Sequence, residues 1–266
     1  MSDFSKENSI SESGNDPNFM IVSNHDKGFS AFNRKVDVFG IPIYAVYNVK
    51  DDRLLHAANV MAQYLDNDED GKVDNPSVLD AMKDNHAFMI MWESPDDLND
   101  MDEPEDAIGQ DLGNDETMPK WHTNGHRGRF DASLEEVWHI ISHAGYASAY
   151  PEVFGETPGT LLTNAMDQAR GGQFLTIPPH YPENAWYTYD DDTCDYSCMA
   201  TEYFYWAITS LLGAQENRKG EVSDEWQLYT PALLKEKDSA VYRLLTTPEY
   251  NLPQTLPNGV YRPVSK

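Results

Sequence analysis

The sequence predicts an α+β fold, and three observations support this class. Two stretches rich in β-branched and aromatic residues, VDVFGIPIYAVY and HAFMIMW, are typical of buried strands. Five other stretches carry apolar residues at helical spacing, and most of these lie in the second half of the chain. A length of 266 residues with 40% hydrophobic content is enough to bury a substantial core. We therefore expect a small sheet with helices and a mainly helical C-terminal part.

The strands are expected in the first half of the chain. VDVFGIPIYAVY should form one buried strand, interrupted by a glycine and a proline. DDRLLHAANVMAQYL should form a helix, because its Leu, Ala and Met residues recur at helical spacing. HAFMIMW is the second predicted strand. The acidic stretch from Glu93 to about Met118 has too few apolar residues to pack, so it is expected to be a surface excursion.

Four helices are predicted in the second half. Ser133 followed by Glu136 fits a capping box, so one helix should start at Ser133 and run to about Ala149, before Pro151. The other three helices, with an irregular Tyr- and Pro-rich segment after the first of them, are TPGTLLTNAMDQARGG, MATEYFYWAITSLLGAQ and TPALLKEKDSAVYRLL.

The ends of the chain suggest how it is organised. Residues 1–19 are polar and rich in Ser, Asn and Asp, which predicts a disordered N-terminal tail. Residues 20–266 are expected to form a single domain, with an upper part at about 20–150 and a mainly helical lower part at about 151–266. The first residues lack the basic start and apolar middle of a secretory signal, so the protein is either cytoplasmic or a signal has been removed.

The charge of the chain excludes some classes of partner. The 45 acidic and 19 basic residues give a formal net charge of −26, which repels nucleic-acid phosphates and anionic lipid. No apolar run approaches the roughly 20 residues that span a bilayer. We therefore expect neither nucleic-acid binding nor membrane insertion. The acidity suits calcium capture, a salty medium or simple solubility, and composition does not choose among these.

The two cysteines, Cys194 and Cys198, lie four residues apart in DDTCDYSCMA. In an extracellular chain they predict a disulfide that closes a small loop, and in a cytosolic chain they predict two thiols. A second pair is missing, so a four-thiolate zinc site is excluded.

The most specific motif is DNDEDGKVDN. Its aspartates fall at positions 1, 3, 5 and 9 of an EF-hand-type loop, with glycine at position 6, where alternate oxygens converge on a hard cation. Position 12 is Ser77 instead of the usual glutamate, and Pro76 is expected to disturb an ordinary exiting helix. The alternative is an acidic turn that caps a helix. We expect one structural calcium, bound by Asp66, Asp68, Asp70 and Asp74.

A second metal site is suggested by FDASLEEVWHIISHAGY. His139 and His143 are four residues apart, and residues at this spacing lie side by side on a helix, so both imidazoles can reach one ion. Two histidines rarely hold zinc alone. Glu202 is the candidate third ligand, because it is the lone carboxylate in an otherwise apolar and aromatic helix. The alternatives are ordinary hydrogen-bonded histidines and a helix-capping role for Glu202.

The order of these parts resembles the zincin metallopeptidases, especially those with a glutamate as third ligand on a later helix. The resemblance covers roughly Val36 to Gln215 and implies a zincin-like fold, a peptide or protein substrate, and His139, His143 and Glu202 as zinc ligands. It departs from the family at one position, because Ile140 stands where the glutamate that activates water is found.

Three functions are compatible with these motifs. The first is a metal-dependent, peptidase-like hydrolase in which Glu136 or Tyr146 supplies the missing general base. The second is a zincin-fold protein that binds metal without hydrolysis, and Ile140 favours it unless Glu136 substitutes. The third is a di-iron carboxylate protein, which needs a second copy of the Glu136-Val-Trp-His139 motif. A secreted or periplasmic location is expected, with a cytoplasmic one as the alternative. Substrate, metal and oligomeric state are not given by the sequence.

Overall fold

The computed structural model describes residues 16–99, 104 and 106–264. It is an α+β protein with a mixed five-stranded sheet, which confirms the predicted class. The chain divides into two compact units. The first contains Met1–Asp74, Met82–Ile140 and Pro257–Lys266, and the second contains Asn75–Ala81 and Ile141–Leu256. Of the predicted tail at residues 1–19, residues 1–15 lie outside the described residues, whereas the Asn18 side-chain amide donates to the Tyr261 carbonyl at 2.8 Å.

The sheet belongs to the first unit. Its strands follow the chain order: β1 (Val22–Ser23), β2 (Arg34–Val38), β3 (Ile41–Ala45), β4 (Phe88–Trp92) and β5 (Gly109–Gly113). The first three are antiparallel, whereas β3, β4 and β5 run parallel. The strand predicted in HAFMIMW is therefore β4, at the parallel side of the sheet.

VDVFGIPIYAVY forms a hairpin, so the prediction of one interrupted strand was wrong. Strands β2 and β3 pair through Val38 and Ile41, and the chain reverses at Phe39 and Gly40. Both turn residues have positive φ, 53° and 94°. Two-residue hairpin turns often require positive φ at both central positions, and glycine adopts it without strain. Gly40 was therefore the signal of a turn.

The acidic stretch after β4 was predicted as a surface excursion, and this prediction was partly wrong. It contains a 3-10 helix at Pro95–Leu98 and the edge strand β5, which pairs with β4. Leu112 of β5 is fully buried. A strand needs only backbone hydrogen bonds to pair, so a short segment of sequence GQDLG can join a sheet despite its low apolar content.

Helices cover the sheet of the first unit. They are α1 (Asp51–Leu65), α2 (Pro76–Asp84), α3 (Pro119–Thr123) and α4 (Ser133–Ile140), and α2 crosses from the second unit into the first. Helix α1 packs on β2 and β3, and α4 packs on β5 and α1. The bounds of α1 confirm the predicted helix DDRLLHAANVMAQYL.

Helix α1 is buried from Leu54 to Leu65, so its polar residues need partners. Asn59 accepts a hydrogen bond from the Tyr261 backbone N–H at 2.9 Å. Gln63 accepts bonds from the N–H groups of Asn258 and Gly259. The C-terminal segment 257–264 is thus fixed against α1.

The second unit is mainly helical. The predicted helix from Ser133 to Ala149 is present, but a π-helix at Ile141–Tyr146 separates α4 from the next α-helix. The predicted helix TPGTLLTNAMDQARGG ends as expected, since Gly171 has left-handed φ of 75°. The helices are α5 (Ala147–Ala149), α6 (Pro151–Phe154), α7 (Leu161–Arg170), α8 (Tyr196–Leu211), α9 (Lys219–Val222), α10 (Pro231–Lys237), α11 (Ser239–Leu245) and a 3-10 helix at Pro248–Tyr250.

One predicted helix of this unit is divided. TPALLKEKDSAVYRLL forms α10 and α11, which are separated at Asp238. The Asp238 carboxylate accepts a bond from the Val241 N–H and so caps α11. It also accepts bonds from Tyr203 Oη–H and Trp186 Nε1–H. The helix is interrupted at Asp238 because its buried carboxylate accepts these three hydrogen bonds.

Cys194 and Cys198 form a disulfide, the pairing predicted for an extracellular chain. It spans the start of α8, where the Asp195 side chain accepts a bond from the Cys198 N–H at 3.0 Å. Across residues 16–99, 104 and 106–264, every helix is too short or too polar to cross a membrane.

Candidate metal sites

The motif DNDEDGKVDN begins where α1 ends. Asp66 is fully buried, and its carboxylate accepts bonds from the backbone N–H groups of Asp70 at 3.0 Å and Gly71 at 2.8 Å. The Tyr261 hydroxyl donates to the same carboxylate. Gly71 has φ of 87°, which explains the glycine at this position. The loop therefore folds back on itself, with backbone N–H groups that contact the Asp66 carboxylate.

Carboxylate oxygens converge in this loop. Oxygens of Asp66, Asp68 and Asp74 all lie within 4.8 Å of one another, which brings together three of the four predicted calcium ligands. Asp70, the fourth, accepts a bond from the Lys72 N–H at 3.0 Å. Burial raises the pKa of Asp74, and the negative charges of Asp68, Asp66 and Asp70 raise it further. These charges repel one another in the absence of a cation.

The segment after the loop differs from expectation. Pro76 was expected to disturb the exiting helix, but α2 begins at Pro76. Proline fits the first turn of a helix, because its missing N–H would have no partner within the helix there. Asn75 caps the helix by accepting a bond from the Val78 N–H at 3.3 Å. The motif is thus flanked by α1 and α2, in the order found in an EF-hand.

A second group of ligand-type residues was not predicted from the sequence. His56 of α1, His122 of α3 and Asp131 form a buried group in the first unit, here called the Asp131 cluster. Both imidazole Nε2 atoms lie 2.7 Å from Asp131 Oδ2. Ser133 Oγ–H donates to the same oxygen at 2.7 Å, and the Met118 N–H donates to Oδ1 at 2.7 Å.

The Asp131 cluster is enclosed by protein. The side chains of His56, His122 and Asp131 are 5%, 2% and 0% exposed. Burial raises the pKa of Asp131, but the hydrogen bonds and charges of His122 and His56 outweigh burial and hold this pKa well below its usual range. The carboxylate is therefore ionised. The sequence carried one signal of the cluster, since His56 is a polar residue on a helix face that needs a partner.

His139 is the first histidine of the predicted zinc site and belongs to the first unit. It is 6% exposed, and its Nδ1 lies 3.3 Å from Glu136 Oε2. Gln110 of β5 donates to the same oxygen at 2.6 Å. The predicted capping box is not formed, because Ser133 is itself the first residue of α4 and the Glu136 N–H donates to the Ala132 carbonyl at 2.9 Å. Glu136 instead holds His139 and Gln110.

His143 belongs to the second unit, where its Nδ1 lies 2.6 Å from Glu156 Oε2. Glu156 also accepts bonds from Ser197 Oγ–H at 2.7 Å and Thr201 Oγ1–H at 2.6 Å, both at the start of α8. Burial raises the pKa of Glu156, but the hydrogen bond and charge of His143, with the two hydroxyls, lower this pKa below its usual range. Glu156 was not identified from the sequence.

The remaining predicted residues lie in the second unit. Glu202 is half-buried on α8. Tyr146, a candidate base, is 3% exposed, and its hydroxyl donates towards the carbonyls of Tyr250 and Asn251. Its environment is that of an aromatic core residue. Because His139 is in one unit and Glu202 is in the other, the predicted set of zinc ligands stays a prediction.

No family model, curated protein or solved structure matches this chain.

Proposed function

We propose that the protein is a metal-dependent, peptidase-like hydrolase of zincin-like fold, with His139, His143 and Glu202 as its zinc ligands. One observation carries this proposal: each histidine of the HxxxH pair has its Nδ1 at a carboxylate, Glu136 for His139 and Glu156 for His143. A carboxylate at Nδ1 favours the tautomer that has its proton on Nδ1 and its lone pair on Nε2. Metal-bound histidines in proteins commonly have this arrangement.

The π-helix after α4 also supports a functional site, since such segments frequently occur at functional sites. The general base is a separate part of the proposal. Ile140 is 1% exposed and belongs to the core, so it supplies no proton acceptor. Glu136 is the candidate base, because its side chain is 22% exposed. Its carboxylate lies at Nδ1 of His139, so it would act as the base only after turning towards the Nε2 side, where zinc would supply a water of lowered pKa.

A calcium ion in the loop of Asp66, Asp68, Asp70 and Asp74 completes the proposal. Its role is structural, since the loop follows α1 directly and the Tyr261 hydroxyl ties it to the C-terminal segment. We further propose export from the cytoplasm, because the disulfide between Cys194 and Cys198 is favoured in oxidising compartments.

The test is a pair of measurements on zinc-loaded protein, namely metal content and hydrolysis of a fluorogenic peptide library. His143→Ala should lose one zinc ion per chain together with activity, whereas His180→Ala, at an exposed histidine of the same unit, should keep both. Glu136→Gln should keep zinc and lower the rate by about 100-fold or more, as expected for loss of a general base. Full activity in Glu136→Gln would reject Glu136 as the base.

A second function is favoured by Ile140. If no base acts, the protein is a metal- and calcium-binding module of the same fold without hydrolysis. Zinc bound by the unmodified protein, together with no cleavage of any library peptide by it, would support this second function.

A further inference from the structure

The Asp131 cluster presents the donor atoms that a transition metal requires. Two imidazole nitrogens and one carboxylate oxygen converge from α1, α3 and the residues before α4, with all three groups within 4.8 Å of one another. Imidazole suits zinc and other divalent transition metals, whereas calcium and magnesium prefer sites made of oxygen. The ligand chemistry therefore selects a zinc-type ion.

The hydrogen bonds of the cluster are crowded at one atom. His56, His122 and Ser133 all approach Asp131 Oδ2 at 2.7 Å. A carboxylate oxygen has two lone pairs, so three donors exceed its normal capacity. A metal bound between the two Nε2 atoms and Oδ2 would replace two of these donors with a single cation.

The charge of the cluster requires compensation. Asp131 is fully buried, and a buried carboxylate must be paired with a cation. A divalent metal bound by the two Nε2 atoms would supply such a cation beside Asp131 Oδ2.

The backbone also encloses the site. Gly259 lies against His56, where a Cβ atom would be only 2.0 Å from the imidazole Nδ1.

Ligand atoms around a tetrahedral zinc are about 3.3 Å apart, given bonds of roughly 2.0–2.1 Å. The observed separations of 2.7 Å between each Nε2 and Asp131 Oδ2 are shorter than this by about 0.6 Å, so metal binding would widen them.

We infer that His56, His122 and Asp131 bind a structural divalent transition metal, with zinc the preferred ion. The metal would link α1 and α3 to the residues just before α4. The low exposure of all three ligands fits a structural role, since catalytic zinc needs a position open to substrate. This inference does not depend on the proposed hydrolase site.

The test places a sulfur ligand at the site. Two full-length variants, His122→Cys and the matched control His126→Cys, are stripped of metal with a chelator and then loaded with cobalt(II). His126 lies four residues further along the chain and is not in the cluster. His122→Cys should give a sulfur-to-cobalt charge-transfer absorption that the control lacks. Absence of this absorption, or an equal one in both variants, would overturn the inference.

Zinc content gives a second measurement. His122→Ala should weaken zinc binding by more than about 100-fold and lose one ion per chain, while His126→Asn should match the unmodified protein. His143→Ala should keep the zinc that depends on His122, so this inference and the proposed function fail separately. If the position-122 variants do not fold, zinc added to unmodified protein labelled with ¹⁵N-histidine decides: unshifted Nε2 resonances of the buried histidines would reject the site.

Discussion

Replacing Asp74 by Asn should have opposite effects on stability in the presence and absence of calcium. Asp74 lies in the loop in which carboxylates of Asp66 and Asp68 also converge. Without a cation these charges repel one another, so removal of one charge stabilises the loop. With calcium bound the same charge is a ligand, so its removal destabilises the loop.

The size of the effect follows from the separations. The three oxygens lie within 4.8 Å of one another, and two unit charges at this distance repel by about 1 kcal/mol at the dielectric constant of water. Asp74 has two such neighbours, so Asp74→Asn should gain about 2 kcal/mol in excess chelator. This corresponds to a Tm increase of roughly 4–8 °C for a chain of this size. Calcium at about 100 times its Kd stabilises the unmodified protein by about 2.7 kcal/mol, which reverses the order.

Thermal unfolding by calorimetry, with excess chelator and with calcium, measures both effects. Asn at position 74 can still accept the Asn67 N–H bond that Asp74 accepts at 2.7 Å, so the comparison isolates the charge. Asp37→Asn is the matched control, because Asp37 also accepts a backbone N–H, that of Gly40, but lies in the β2–β3 hairpin. A change in Tm of the same sign for Asp74→Asn in both conditions would refute the calcium site.

Three further predictions concern the second unit. Burial raises the pKa of Glu225 to about 7, so the folded state favours the protonated form. Glu225→Gln should therefore raise the free energy of unfolding at pH 8 by about 1–2 kcal/mol, a value reduced for partial exposure. In denaturant titrations, an equal difference between variant and unmodified protein at pH 8 and at pH 5 would contradict this prediction. Reduction of the Cys194–Cys198 disulfide opens a small loop and so increases the conformational entropy of the unfolded chain. It should cost about 2 kcal/mol, measured from the urea midpoints with and without reductant. The pKa of Glu156 is lowered by His143 against the effect of burial, so its contribution is present above the unfolded pKa and is lost as pH falls through the folded value; Glu156→Gln should be less stable than the unmodified protein at pH 7, and the difference should disappear in acid.

Helices and the acidic loop were determined largely by local sequence. Helix α1 spans the predicted DDRLLHAANVMAQYL, because apolar spacing and the loop that follows define both of its ends. Helix α7 ends at Gly171, where glycine adopts left-handed φ. Asp66, Asp68 and Asp74 converge as the spacing predicts, since a turn within nine residues is set by the positions of its own glycine and aspartates.

Tertiary structure alone decided what depends on distant residues. Strand β5 has a sequence too polar to predict, and it forms because β4 offers backbone partners. The Asp131 cluster joins His56 to a carboxylate 75 positions away. Glu156 meets His143 in a similar way, from 13 positions away and beyond two short intervening helices, α5 and α6. Local patterns show that a buried imidazole or carboxylate needs a partner, but only the packing of helices against the sheet and against one another selects which partner it meets.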